Sequence, residues 1–162
     1  MNESLRTNDD IQKAVDKYAD MLIRIAFLNL KNMSDAEDLA QDVFLKLIEH
    51  SPNFESEEHE KAWLIRITIN LCKDRLKSAW FRKSVPLDDS LCFMAPEKSE
   101  TLLSIMELPV KYRNVIMLFY YENYPIKEIA EITGMKDVTI GSQLQRARKM
   151  LKAGLNGGVN GE

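Results

Sequence analysis

At 162 residues, with 45% apolar and 29% charged side chains, the chain has material for one domain or two small ones with real cores; it reads as neither disordered nor membrane-embedded. No apolar run approaches the roughly 20 residues that span a bilayer, and the polar start MNESLRTNDD is not a secretory signal, so a cytoplasmic protein without membrane insertion is expected. The formal net charge of −3 means that any strongly basic surface has to be local. Cys72 and Cys92 lack paired spacing and read as reduced, buried thiols, while His50 and His59 are too isolated for a metal site. No glycine loop cradles a phosphate and no nucleophile stands beside a base, so neither cofactor nor catalysis is expected.

Apolar residues recur at helical spacing nearly throughout. Ile11, Val15, Tyr18, Leu22 and Ala26 mark one face of a first long helix. A second is predicted from an N-cap at Ser34, with Glu37 in capping-box position, through Leu39, Val43, Phe44, Leu47 and Ile48 to a stop before Pro52. SPNFESEEHE reads as a loop or helix start, and a third helix carries Trp63, Leu64, Ile67 and Leu71 on one side. From Ser84 to about Glu100 the period is lost among two prolines and Asp88 and Asp89, which reads as a flexible linker. The expectation is therefore all-α: two small helical domains, 1–83 and 101–162, joined by the linker 84–100.

In the second domain, a short helix over 101–108 is broken at Pro109, which suits the first turn of the next helix, burying Tyr112, Val115, Ile116 and Phe119. Pro125 stops that helix or starts another. Ile126 to Ile132 is short and amphipathic, with Ile129 and Ala130 inward, and Gly134 supplies the left-handed turn. Met135 plugs the turn, Asp137 is a candidate N-cap, and Ile140 and Leu144 bury the following helix. A small residue, a glycine turn and apolar plugs at this spacing form a helix-turn-helix, whose second helix enters the major groove. That helix ends in Arg146, Arg148, Lys149 and Lys152, cations suited to phosphates. The tail after Lys152 is glycine-rich and expected to fray.

Two further stretches are segregated by charge. KAWLIRITINLCKDRLKSAWFRK interleaves Trp63, Trp80 and Phe81 with seven cations and one acid, Asp74. Aromatics among cations suit melted nucleic acid, where bases stack on rings, although an ordinary solvated face would have the same composition. The preceding helix is acidic, with Asp35, Glu37, Asp38, Asp42 and Glu49 against Lys46, and its natural partner is a basic protein surface.

Taken in order, the helix SDAEDLAQDVFLKLIEH, the segment WLIRITINLCKD, the motif LPVKYR and the helix-turn-helix resemble bacterial extracytoplasmic-function sigma factors over roughly Val15 to Leu151. The resemblance implies a promoter-specificity factor, not an enzyme, that directs core RNA polymerase to promoter DNA, and it implies an anti-sigma protein partner. Asp35, Glu37, Asp38, Gln41 and Asp42 correspond to the family's grip on the polymerase. Trp63, Arg66, Asn70 and Arg75 fall where the family contacts the melting minus-ten element, and the Ser51–Glu60 loop matches the one that captures a flipped base. The linker would thread the transcript channel, its acids mimicking nucleic acid. In the helix-turn-helix, residues pointing away from Ile140 and Leu144 are expected to read the minus-thirty-five element: Thr139, Ser142, Gln143 and Arg146, with Lys149 on phosphate.

The sequence departs from the family at Gly141 and Gln143, where a basic residue is common, and at Thr133, where the turn usually holds an apolar one. Gly141 costs on the order of 1 kcal/mol of helix propensity relative to alanine. Two rival readings are a stand-alone dimeric helix-turn-helix regulator and a helical interaction module that never touches DNA.

Overall fold

The computed structural model describes residues 8–50, 52–79 and 99–160, with side chains described over 8–50, 52–78 and 103–153. The described residues are helical between short turns and contain no strand. They form two compact units, the first built from α1 (Asn8–Leu30), α2 (Met33–His50) and α3 (Glu57–Ala79). The second contains α4 (Ser99–Met106), α5 (Val110–Ile116) continued by a π-helical turn over Met117–Tyr121, α6 (Ile126–Thr133) and α7 (Asp137–Asn160). Residues 84–98 of the expected linker lie outside the described residues, as does Cys92, and Ser99 and Glu100 already belong to α4.

In the first unit α1 packs on both α2 and α3, which also meet each other. Serving two partners widens its buried arc: Ala14, Tyr18, Met21, Leu22, Ile25, Ala26 and Leu28 are buried, while Ile11 and Val15 at the edge are only half-buried. The turn into α2 is capped by Asn32, not by Ser34 as expected: the Asp35 N–H donates to Asn32 Oδ1 at 2.8 Å. Asn32 competes well there because Lys31 takes a left-handed conformation, φ 60°, and turns the chain just ahead of it. On α2 the inner face is Ala36, Leu39, Ala40, Val43, Phe44 and Leu47, whereas Ile48, expected inside, is 43% exposed.

The α3 stripe is rotated from the expected one. Leu64, Ile65, Thr68, Ile69 and Cys72 are buried, and Trp63, Ile67 and Leu71 flank them half-exposed. Thr68 is tolerated at the centre because its hydroxyl donates to the Leu64 carbonyl at 2.8 Å. Ser56 caps α3, accepting from the His59 N–H at 3.1 Å, and Glu57, Glu58 and Glu60 complement the helix dipole in its first turn.

In the second unit α7 runs against α4, α5 and α6. Pro109 is the N-cap of α5, one residue before the expected first turn, and its carbonyl accepts from the Tyr112 and Arg113 N–H groups at 2.9 and 3.1 Å. Leu108, Tyr112 and Arg113 of the LPVKYR motif are all buried, so the motif builds the start of α5 and its packing. Burial holds the Arg113 guanidinium below its usual pKa. Pro125 starts α6 as its N-cap. α7 continues through the glycine-rich tail to Asn160, where fraying was expected; extending an existing helix needs no new nucleus.

Candidate nucleic-acid and protein-docking faces

Gly134 ends α6 at φ 76°, a conformation open to glycine. The Gly134 and Met135 N–H groups both donate to the Ala130 carbonyl, at 2.8 and 3.0 Å, closing the helix end. Ile129, Ala130 and Ile132 are buried beneath α7, which begins at Asp137 with the Lys136 carbonyl accepting from the Ile140 N–H. Asp137 thus stands in the first turn and not at the cap. Thr133 sits half-buried where an apolar residue is usual, its hydroxyl satisfied by the Ile129 carbonyl at 2.8 Å. This is a helix-turn-helix in its standard form.

The inner stripe of α7 is Ile140, Gln143, Leu144 and Ala147, at spacings of three, four and seven residues. Gln143 therefore does not lie on the outer face where the sequence reading put it. It is 7% exposed, its Nε2 donating to Met135 Sδ at 3.8 Å, and its buried Oε1 has no hydrogen-bond partner. Position decides this, since Gln143 lies three residues after Ile140 and four before Ala147. Thr139, Arg146 and Lys149 are exposed and Ser142 is half-exposed, as expected for an outer face. Val138 and Gln145, which the sequence reading missed, share it; counting from Ala147 as a third buried position would have found both. Arg148 turns elsewhere: its guanidinium lies over the Phe119 and Tyr120 rings at 5.4 and 5.7 Å, and its Nε donates to Tyr120 Oη at 2.6 Å. A cation–π clamp thus ties α7 to the π-helical turn.

In the first unit, the acidic and basic surfaces meet through Arg75. Its Nη2 contacts Asp38 Oδ2 at 3.3 Å and Asp42 Oδ2 at 2.5 Å, and its Nη1 donates to the Asp35 carbonyl at 3.4 Å. Arg75 was expected to face melted DNA together with Trp63, Arg66 and Asn70. The structure instead engages it with two of the acids assigned to polymerase, because α2 and α3 pack side by side here. Glu37 and Gln41 remain exposed, and Leu45 and Ile48, 53% and 43% exposed, continue their line along α2. The outer face of α2 is thus acidic at one end and apolar at the other.

Arg66 and Asn70 lie exposed on α3, one turn apart, with Trp63 half-exposed a turn earlier. Trp63 meets Phe54 edge-on at 5.7 Å, and Phe54 meets His59 at 5.3 Å. The His59 Nδ1 accepts from the Glu55 N–H at 3.1 Å, which folds the α2–α3 loop over the start of α3. Among the described residues no group of three His, Cys, Asp or Glu could hold a metal, and no helix is long and apolar enough to cross a membrane.

Two all-α units, the second a helix-turn-helix with a basic outer face, are the architecture of a sigma-type transcription factor. Residues 14–82 match the profile of Sigma-70 region 2, and residues 100–151 match that of Sigma-70, region 4. The chain is 31% identical over 149 residues to the ECF RNA polymerase sigma factor SigM of Mycobacterium tuberculosis (strain ATCC 25618 / H37Rv), covering 86% of this chain and 75% of SigM. It is 29% identical over 137 residues to the RNA polymerase sigma factor SigV of Bacillus subtilis (strain 168), covering 80% and 81%. Its fold is shared with the sigma factor RpoE co-crystallised with the anti-sigma factor NepR from Bartonella quintana, at TM-score 0.74 and 23% identity over 94% of this chain and 99% of that one. The chain belongs to the ECF family of RNA polymerase sigma factors, and its function is promoter-specific initiation of transcription.

Proposed function

We propose that the two units divide this work. Residues 1–83 bind core RNA polymerase and the melting minus-ten element, residues 101–162 read the minus-thirty-five element as duplex, and residues 84–100 join them. The observation that carries this reading is the segregation of charge by face: carboxylates on the outside of α2, cations on the outside of α7. An acidic face repels a phosphate backbone and suits a basic protein surface, whereas Arg146 and Lys149 suit phosphate.

Glu37 and Gln41 contact the polymerase directly, with Leu45 and Ile48 adding apolar area. Asp35, Asp38 and Asp42 contribute while sharing Arg75. Trp63, Arg66 and Asn70 face the melted strand, and Arg75 positions α3 for them. Thr139, Ser142, Arg146 and Lys149 face the duplex groove, with Gln143 supporting them from beneath.

The chain is a cytoplasmic initiation factor and not an enzyme; polymerisation chemistry belongs to its partner. The sigma factor RpoE, which shares its fold, was co-crystallised with the anti-sigma factor NepR, and CnrH, of the same fold, is in complex with the cytosolic domain of CnrY. An anti-sigma protein is accordingly proposed as its second partner. A pull-down with purified core polymerase tests the reading. Wild-type chain is retained and Glu37→Lys is retained poorly; equal retention of both overturns the α2 assignment.

A further inference from the structure

We propose that Val138 and Gly141 form a base-reading notch on α7, in which the Val138 methyl groups pack on the 5-methyl of a thymine while bare Gly141 lets the groove edge approach the helix. The inference rests on the reading of α7 as the groove-facing helix. Val138 is 78% exposed, the most open of the exposed large hydrophobic side chains among the described residues. A single exposed valine carries little by itself. Its position adds the argument: it stands in the first turn of the second helix, the part of a helix-turn-helix that reaches base edges.

Gly141 supplies an independent observation. It lies three residues after Val138 on the same face, within a helix and without a positive φ. A Cβ added there would meet nothing within 4 Å. Neither backbone conformation nor packing inside the chain uses the missing side chain, although glycine weakens the helix. What an absent side chain does provide is close approach from outside. Val138, Gly141, Ser142 and Gln145 follow at spacings of three, four and seven, so they form one strip. Arg146 directly follows Gln145, and Lys149 lies three residues beyond Arg146. An apolar group beside a cationic flank matches a thymine methyl beside its phosphates, since that methyl is the apolar feature of the major-groove edge.

The test uses polymerase holoenzyme assembled with the full chain, on promoters whose upstream-element thymines are replaced one at a time by deoxyuridine, which lacks only the methyl. Wild-type holoenzyme is expected to lose about fourfold in binding at one position, the worth of one buried methyl. Val138→Ala should lose a similar factor on the thymine promoter and be indifferent to the exchange there. Gly141→Ala should raise the melting temperature of the chain while weakening binding to the same element. Full wild-type sensitivity to deoxyuridine in Val138→Ala, or undiminished binding by Gly141→Ala, overturns the notch. Arg146→Ala separates the two levels: if it weakens binding while the notch variants do not, only the notch falls. If it has no effect either, the groove-facing reading falls with it.

Discussion

Arg75 keeps two carboxylates of α2 from repelling each other, and its replacement should be felt in stability. It is 28% exposed, so the pair is partly screened, and Arg75→Ala is expected to cost about 1 kcal/mol in chemical unfolding. An unchanged midpoint would show the contacts to be idle. Reversing both Asp38 and Asp42 to lysine would set three cations together and destabilise the unit, so Glu37 is the cleaner probe of polymerase binding. Gln143 bears the opposite kind of stress, a buried oxygen without a partner. Gln143→Met removes it at similar volume and should stabilise the chain by about 1 kcal/mol with base preference unchanged. Gln143→Arg should destabilise, because it places a charge in the same buried site. Unfolding of both variants checks the pair; a stable arginine variant with altered base preference would restore Gln143 to the groove. On the outer face, Arg146→Ala should weaken binding to the upstream element by about 1–3 kcal/mol, measured by titration of holoenzyme on that duplex.

Helix faces were legible in the sequence where a local turn fixes how two helices meet. The inward Ile129, Ala130, Ile140 and Leu144 and the Gly134 turn are as the spacing predicts, because the turn sets α6 against α7 within a few residues. Gln143 escaped because its polarity argued for solvent while its position on the helix argued for the core. Ser34 was chosen as a cap over Asn32, since the capping-box pattern does not register the left-handed Lys31 that sets the turn. Arg75 was placed with the DNA-facing residues because its carboxylate partners lie 33 and 37 residues away, and local pattern says nothing of that distance. α3 is the helix whose buried stripe departed furthest from expectation, and Cys72, the last residue of that stripe, gives a test. Burial pushes the thiol from 9.0 up to about 12. Below pH 9 the group is protonated in both states and contributes nothing. Above it the unfolded thiol ionises first, so stability falls as pH rises, by up to about 1.4 kcal/mol per pH unit until the folded thiol ionises too. Cys72→Ala should show a shallower loss than wild type between pH 9 and 11. Equal slopes would mean that the thiol is solvated.

Over the whole molecule, net charge conceals a separation of charge by helix face. A chain that is acidic in sum presents carboxylates on the outside of α2 and cations on the outside of α7. That separation is what a factor needs if it must hold a protein and a duplex at once, and a stand-alone dimeric regulator has no use for the α2 face. The α2 and α7 faces are far apart in sequence and their helices lie in different units, so each can be disabled without unfolding the other. Run-off transcription with purified core polymerase on a genomic fragment library tests the central claim most directly. The account predicts discrete transcripts that require the chain, disappear with Glu37→Lys, and weaken with Arg146→Ala. It is contradicted if core polymerase yields the same transcripts without the chain, or if the chain retains specific duplexes alone and adds no transcript when polymerase is present.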